Sequence, residues 1–131
     1  MQGKSIPKFL GHFVVRFEDR ELEEDRSCKV LMLELLDARI LERFPVSKLS
    51  ALERTRIRQE VFDIVTAVYK HGVYFPNVYL SDFMILNTDR TLRLCGFSWT
   101  YDPGESSFST ERHIKAAISG LEWELNALGY G

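Results

Sequence analysis

Long hydrophobic runs, metal-ligand spacings and a concentrated basic charge are all missing from this sequence, and each absence narrows what the chain can do. No apolar run approaches the roughly 18 residues that cross a bilayer. The opening MQGKSIPKFL also lacks the apolar core of a secretory leader, so no membrane partner is expected and the chain is read as cytoplasmic. Seventeen basic residues against nineteen acidic ones give a formal net charge of -2, with the basic residues scattered. Binding to a phosphate backbone needs a basic face, so no nucleic-acid partner is expected. His12, His71 and His113 lie far apart, and neither His-x-x-x-His nor Cys-x-x-Cys occurs, so no metal site and no cofactor are expected. There is no Gly-x-Ser-x-Gly elbow, and neither cysteine has a base beside it. Cys28 and Cys95 fall inside predicted strands and read as reduced, buried thiols.

What is present belongs to an ordinary folded protein: 45% apolar, 12% aromatic and 27% charged residues. A chain of 131 residues suits a single domain around one modest core. Ile6 to Phe17 is β-rich and entered through Pro7, and reads as a central strand. Glu18 to Arg26 holds six acids and two arginines around a lone Leu22, a solvated hairpin connection or an acidic docking surface. Lys29 to Leu36 reads as a second, antiparallel strand buried on both faces. Ala38 to Phe44, with Ile40, Leu41 and Phe44 on one face, reads as a short helix stopped by Pro45.

The longest signal is helical. Leu52, Ile57, Val61, Ile64, Val65 and Val68 recur at helical spacing, Ser50 and Glu53 form a capping box, and Gly72 ends the run. Its charged face, including Arg56, Arg58 and Glu60, is expected to be solvated. Two short strands follow, Phe83 to Leu86 and Leu92 to Cys95, joined by a turn over Asn87 to Arg90. Phe97 to Ser107 reads as a turn-rich loop with phosphorylatable serines. A last helix starts near Thr110, carries Ile114, Ala117, Ile118, Leu121, Leu125 and Leu128 on its apolar stripe, and closes at Gly129.

Helix, polar loop, strand, turn, strand, read through Gly72-Val73-Tyr74, Phe75-Pro76-Asn77, Asp82, Phe83 to Leu86, Leu92 to Cys95 and Gly96-Phe97-Ser98, resembles the centre of the protein-kinase-like fold. The likeness is to the short, divergent kinase-like proteins found in fungi, spans about residues 6 to 101, and implies an α+β fold trimmed at both ends. On this resemblance Asn77 stands at the family's catalytic Asp, Asp82 at its metal-binding Asn, and Gly96 at the metal-binding Asp of Asp-Phe-Gly. Glu34 to Asp37 stands at the hinge. An amide is no base near neutral pH and glycine offers no ligand, so ordinary phosphotransfer is not expected. Gly-x-Gly-x-x-Gly is absent as well. The resemblance therefore implies a pseudokinase acting through a protein partner or self-association. The alternative is an enzyme that reuses the cleft for a small-molecule ligand, either by non-phosphoryl chemistry or by residual phosphotransfer, with Asp82 and Asn77 as the reactive residues and Tyr74, Tyr79, Trp99 and Tyr101 as lining; the plainer reading of the same residues is a capping Asp82 and core aromatics, and it is the favoured one.

Overall fold

The computed structural model describes residues 3–19, 24–75, 77–96 and 110–131. They form an α+β arrangement of small antiparallel sheets and two long helices, α1 (Ala51–Lys70) and α2 (Thr110–Leu128). Helix α1 begins where the sequence says it should. The Ser50 hydroxyl accepts from the Glu53 N–H at 3.1 Å while the Glu53 carboxylate accepts from the Ser50 N–H at 2.8 Å, which satisfies two otherwise orphaned donors. The same bond from Ser50 is the largest cause holding the Glu53 carboxyl below its ordinary pKa. Both helices stop the same way. Gly72 (φ 84°) and Gly129 (φ 95°) take the left-handed conformation, and the next residue's N–H turns back to Val68 and Leu125 respectively.

The strands form two separate sheets. β1 (Phe9–Asp19) and β2 (Glu24–Leu33) form an antiparallel hairpin in register from Phe9 opposite Leu33 to Asp19 opposite Glu24, irregular near Gly11. The acidic stretch expected to be loop thus contributes Glu18, Asp19, Glu24 and Asp25 to the ladder, because two paired strands extend as long as their backbones can bond. β1 is not central, since its sheet has two strands. Nor is the end of β2 buried: Leu31 is 66% exposed and Leu33 44%, because no further layer covers the hairpin there.

The second sheet runs β3 (Ala38–Ile40), β4 (Phe83–Leu86) and β5 (Leu92–Leu94) in spatial order β3-β4-β5, all antiparallel. Ala38 to Phe44 is therefore not one helix. Pairing of Ala38, Arg39 and Ile40 with Leu86, Ile85 and Met84 draws its first half into the sheet, and a single 3-10 turn follows at Leu41–Arg43. The apolar face expected there survives the change, for Leu41 and Phe44 are both buried.

The core lies between this sheet and the two helices. Ile57, Val61, Ile64, Val65 and Val68 of α1 meet Phe83, Ile85, Leu92 and Leu94 of β4 and β5 and Leu121 and Leu125 of α2. Leu52, on the same helical stripe in the sequence, is 81% exposed and lies off this core. The charged face of α1 is not merely solvated. Arg58 donates to Asn126 Oδ1 at 2.8 Å and to Glu122 at 2.7 Å, clasping α2, while Glu60 accepts from the Leu92 N–H at 2.9 Å. Arg56 bonds Glu60 and the Arg90 carbonyl, so the β4–β5 turn is tied to α1. Arg90, at φ 62°, in turn lays its guanidinium over Phe44 at 5.1 Å. Among the described residues, no helix is long and apolar enough to cross a membrane.

Candidate functional site

Asp82 and Gly96 are neighbours. A 3-10 turn at Leu80–Asp82 delivers Asp82 to the start of β4, and Gly96 lies just beyond β5, which pairs with β4. The backbones are joined by a bond from the Cys95 N–H to the Asp82 carbonyl at 2.8 Å. The side chain of Asp82 folds back on its own turn, where Oδ2 accepts from the Tyr79 N–H at 2.9 Å. It also occupies the space that a side chain at 96 would need: a Cβ built on Gly96 falls 2.6 Å from Asp82 Cγ and 2.8 Å from its Cβ. Glycine at 96 is thus required by close approach. One carboxylate serves both positions, and it is engaged as a cap. Among the described residues, no group of three His, Cys, Asp or Glu could hold a metal ion.

Cys95, a free thiol, sits beside this pair. Burial pushes its pKa from 9.0 up to about 11, against the opposing pull of Arg93 and with a further push from Asp82. The thiolate is the nucleophile, so a shift of this size lowers the reactive fraction at neutral pH by about a hundredfold. Alkylation of Cys95 by iodoacetamide, followed by peptide mass spectrometry, is expected to be slow at neutral pH and to keep accelerating beyond pH 9. A rate that levels off below pH 9 would contradict this. Because the folded pKa is the raised one, the thiol's contribution to stability is fully present below about pH 9 and is lost as pH rises through about 11.

Of the described sequence candidates, two line one groove and two do not. Asn77 and Tyr79 do come together, on the rim of a groove of about 430 Å³ between α2 and the segment before the 3-10 turn. Tyr69 and Phe75 form its floor; the Tyr69 hydroxyl donates to the Phe75 carbonyl at 3.1 Å. The facing wall is His113, Ala116, Ala117, Gly120, Trp123 and Glu124, residues spaced at three and four along α2 and so on one helical face. Glu124 accepts from the Leu80 N–H at 3.2 Å. Its carboxyl is raised by burial, against that hydrogen bond, with smaller pushes from the charges of Glu42 and Asp82.

Tyr74 lies elsewhere. Its ring is buried edge-on to Tyr69 at 5.5 Å, and its hydroxyl pairs with Thr110 Oγ1 at 3.0 Å, so it joins the start of α2 to the core. Asp82 does not line the groove. Trp99 and Tyr101 fall outside the described residues, as does the serine-rich loop. The ends of the Glu34 to Asp37 segment are tied down: the Asp37 carbonyl accepts from the Asn87 N–H at 2.9 Å, and the Glu34 N–H donates to the Lys8 carbonyl at 2.9 Å. Sequence reasoning passed over His113, Ala116, Gly120, Trp123 and Glu124. The available signal was a small-residue trio, Ala116, Ala117 and Gly120, beside a tryptophan that falls off the apolar stripe of α2.

No protein-family model matches the chain, and no curated protein matches it either.

Proposed function

We propose that the chain is a non-catalytic, kinase-like binding module that works by associating with a protein surface, and that the β1–β2 hairpin is the part that associates. The observation carrying this reading is where the large apolar side chains stand in water. Phe9, Leu10 and Val14 of β1 and Leu31, Met32 and Leu33 of β2 are each more than 40% exposed, on a sheet that among the described residues has two strands and no neighbour at either edge. A two-stranded hairpin is marginal alone in water, and contiguous exposed apolar surface favours association. A strand from a partner would supply the missing backbone bonds and cover the side chains together.

The kinase-like part of the reading rests on the order of elements from α1 to Gly96. Its non-catalytic part is supported by Asp82, which is spent as a cap, and by Gly96, whose approach to Asp82 leaves no room for a ligand-bearing side chain.

Self-association is the first form to test. Sedimentation velocity over a range of concentrations is expected to show a reversible dimer, and the double substitution Val14→Lys, Leu31→Lys to yield a monomer with an unchanged core. Hairpin amides should exchange far more slowly in the dimer than in the monomer. A wild-type monomer at every concentration, with hairpin amides as protected as those of α1, would overturn the reading. The hairpin would then be stable without a partner.

A further inference from the structure

The groove along α2 has a chemical character of its own, and none of its lining residues belongs to the hairpin. Its floor and rim are aromatic. Tyr69 and Phe75 stand with centroids 6.2 Å apart at 56°, and the rings of Tyr79 and Trp123, 51% and 72% exposed, stand at the opening. Aromatic faces attract cations, tryptophan most of all. Among the described residues, the lining contains one carboxylate, Glu124, and no lysine or arginine, with His113 as its one basic side chain. Two more carboxylates, Glu42 and Asp82, lie close enough for their charges to act on Glu124. An anion would meet repulsion there, and a neutral apolar ligand would gain nothing from the carboxylate.

Gly120 supplies a second, independent observation. A glycine in the middle of a helix costs about 1 kcal/mol relative to alanine. Nothing in the packing requires it here, for a Cβ at Gly120 would meet no atom within 4 Å. With Ala116 and Ala117 on the same face, it keeps the wall of the groove flat and the space over it open. The volume, about 430 Å³, falls in the range of small-molecule sites.

The geometry points to this groove as a binding site for a small organic cation, an alkylammonium whose charge rests between Trp123, Tyr79 and the Glu124 carboxylate and whose apolar part lies over Gly120 against Phe75. The direct test is a titration of the ¹⁵N-labelled protein with choline and, in parallel, with 3,3-dimethyl-1-butanol, its neutral isostere. Choline is expected to shift the amides of His113, Ala117 and Gly120 and the Trp123 indole, and to bind about tenfold more tightly than the isostere. Glu124→Gln still presents an oxygen to the Leu80 N–H and is expected to lower choline affinity by about tenfold. Gly120→Leu is expected to abolish binding while leaving the melting temperature unchanged or higher, since it fills the groove and favours the helix.

Equal binding of the isostere, shifts confined to the hairpin, or unchanged affinity in both variants would overturn the assignment. So would a trimethyl-lysine peptide that saturates the groove where choline does not, because the site would then read a protein side chain. None of these outcomes touches the hairpin reading, whose test is the oligomeric state.

Discussion

Replacing Gly96 by alanine destabilises the protein by about 1–3 kcal/mol, the range for forcing an extra methyl into a packed site. The reason is specific. The new Cβ would lie 2.6 Å from Asp82 Cγ and 2.8 Å from Asp82 Cβ, with the Asp82 carboxylate held in place by the Tyr79 N–H. Asp82→Ala removes the carboxyl group and opens most of that space, at the cost of the cap. The two substitutions should therefore couple, with the double variant more stable than the sum of the singles by about 0.5–3 kcal/mol. Urea denaturation of the four proteins in the cycle reads this directly. Additive losses would mean that Asp82 yields freely and that the two residues do not compete for one space.

Gly96→Asp, which puts the kinase family's residue at this position, should be worse than alanine, since it adds a second carboxylate against the first. In the kinase-like reading the chain is then not one substitution away from a metal site.

Leu121→Ala costs about 2–5 kcal/mol, a large share of a domain stability of about 5–15 kcal/mol. Leu121 has no exposed surface and lies in the core that α2 shares with α1 and the second sheet. Its loss leaves a cavity beneath the wall of the groove. Leu52→Ala provides the contrast: Leu52 sits on an equally convincing apolar stripe but is 81% exposed, so its replacement should change stability by no more than about 0.5 kcal/mol. A small effect at Leu121 together with a large one at Leu52 would mean that the helices pack on other faces.

Leu52 and Leu121 also mark what could be read from the sequence. Helix α1 was legible to the residue, because Ser50, Glu53 and Gly72 act through bonds to their own neighbours in the chain. The start, the stripe and the closing glycine of α2 are local signals of the same kind. β3 was not legible: three residues make no period, and Ala38 to Ile40 are extended because β4, far along the chain, pairs with them. The hairpin was found as two strands but misjudged as buried, since alternation and apolar content say that a face wants cover and not whether cover exists. The Asp82 and Gly96 positions followed from the order of elements. Their competition for one volume did not, because it depends on how β4 and β5 bring Asp82 and Gly96 side by side. The groove needed both α2 and residues 75–79 in place before Gly120 meant anything.

The ladder between β1 and β2 has a consequence for the order of events on the ribosome. Both strands precede Leu41, the first fully buried apolar residue among those described, so the hairpin is synthesised before the core that α1, α2 and the second sheet build. Its contacts are local and can form quickly, yet Leu31 and Val14 have no such core to meet until α1, β4, β5 and α2 have followed at about 5–20 residues per second. For those seconds two nascent chains on one message are each other's nearest source of apolar surface. Pairing during translation would let a copy of this chain meet its partner before either is released.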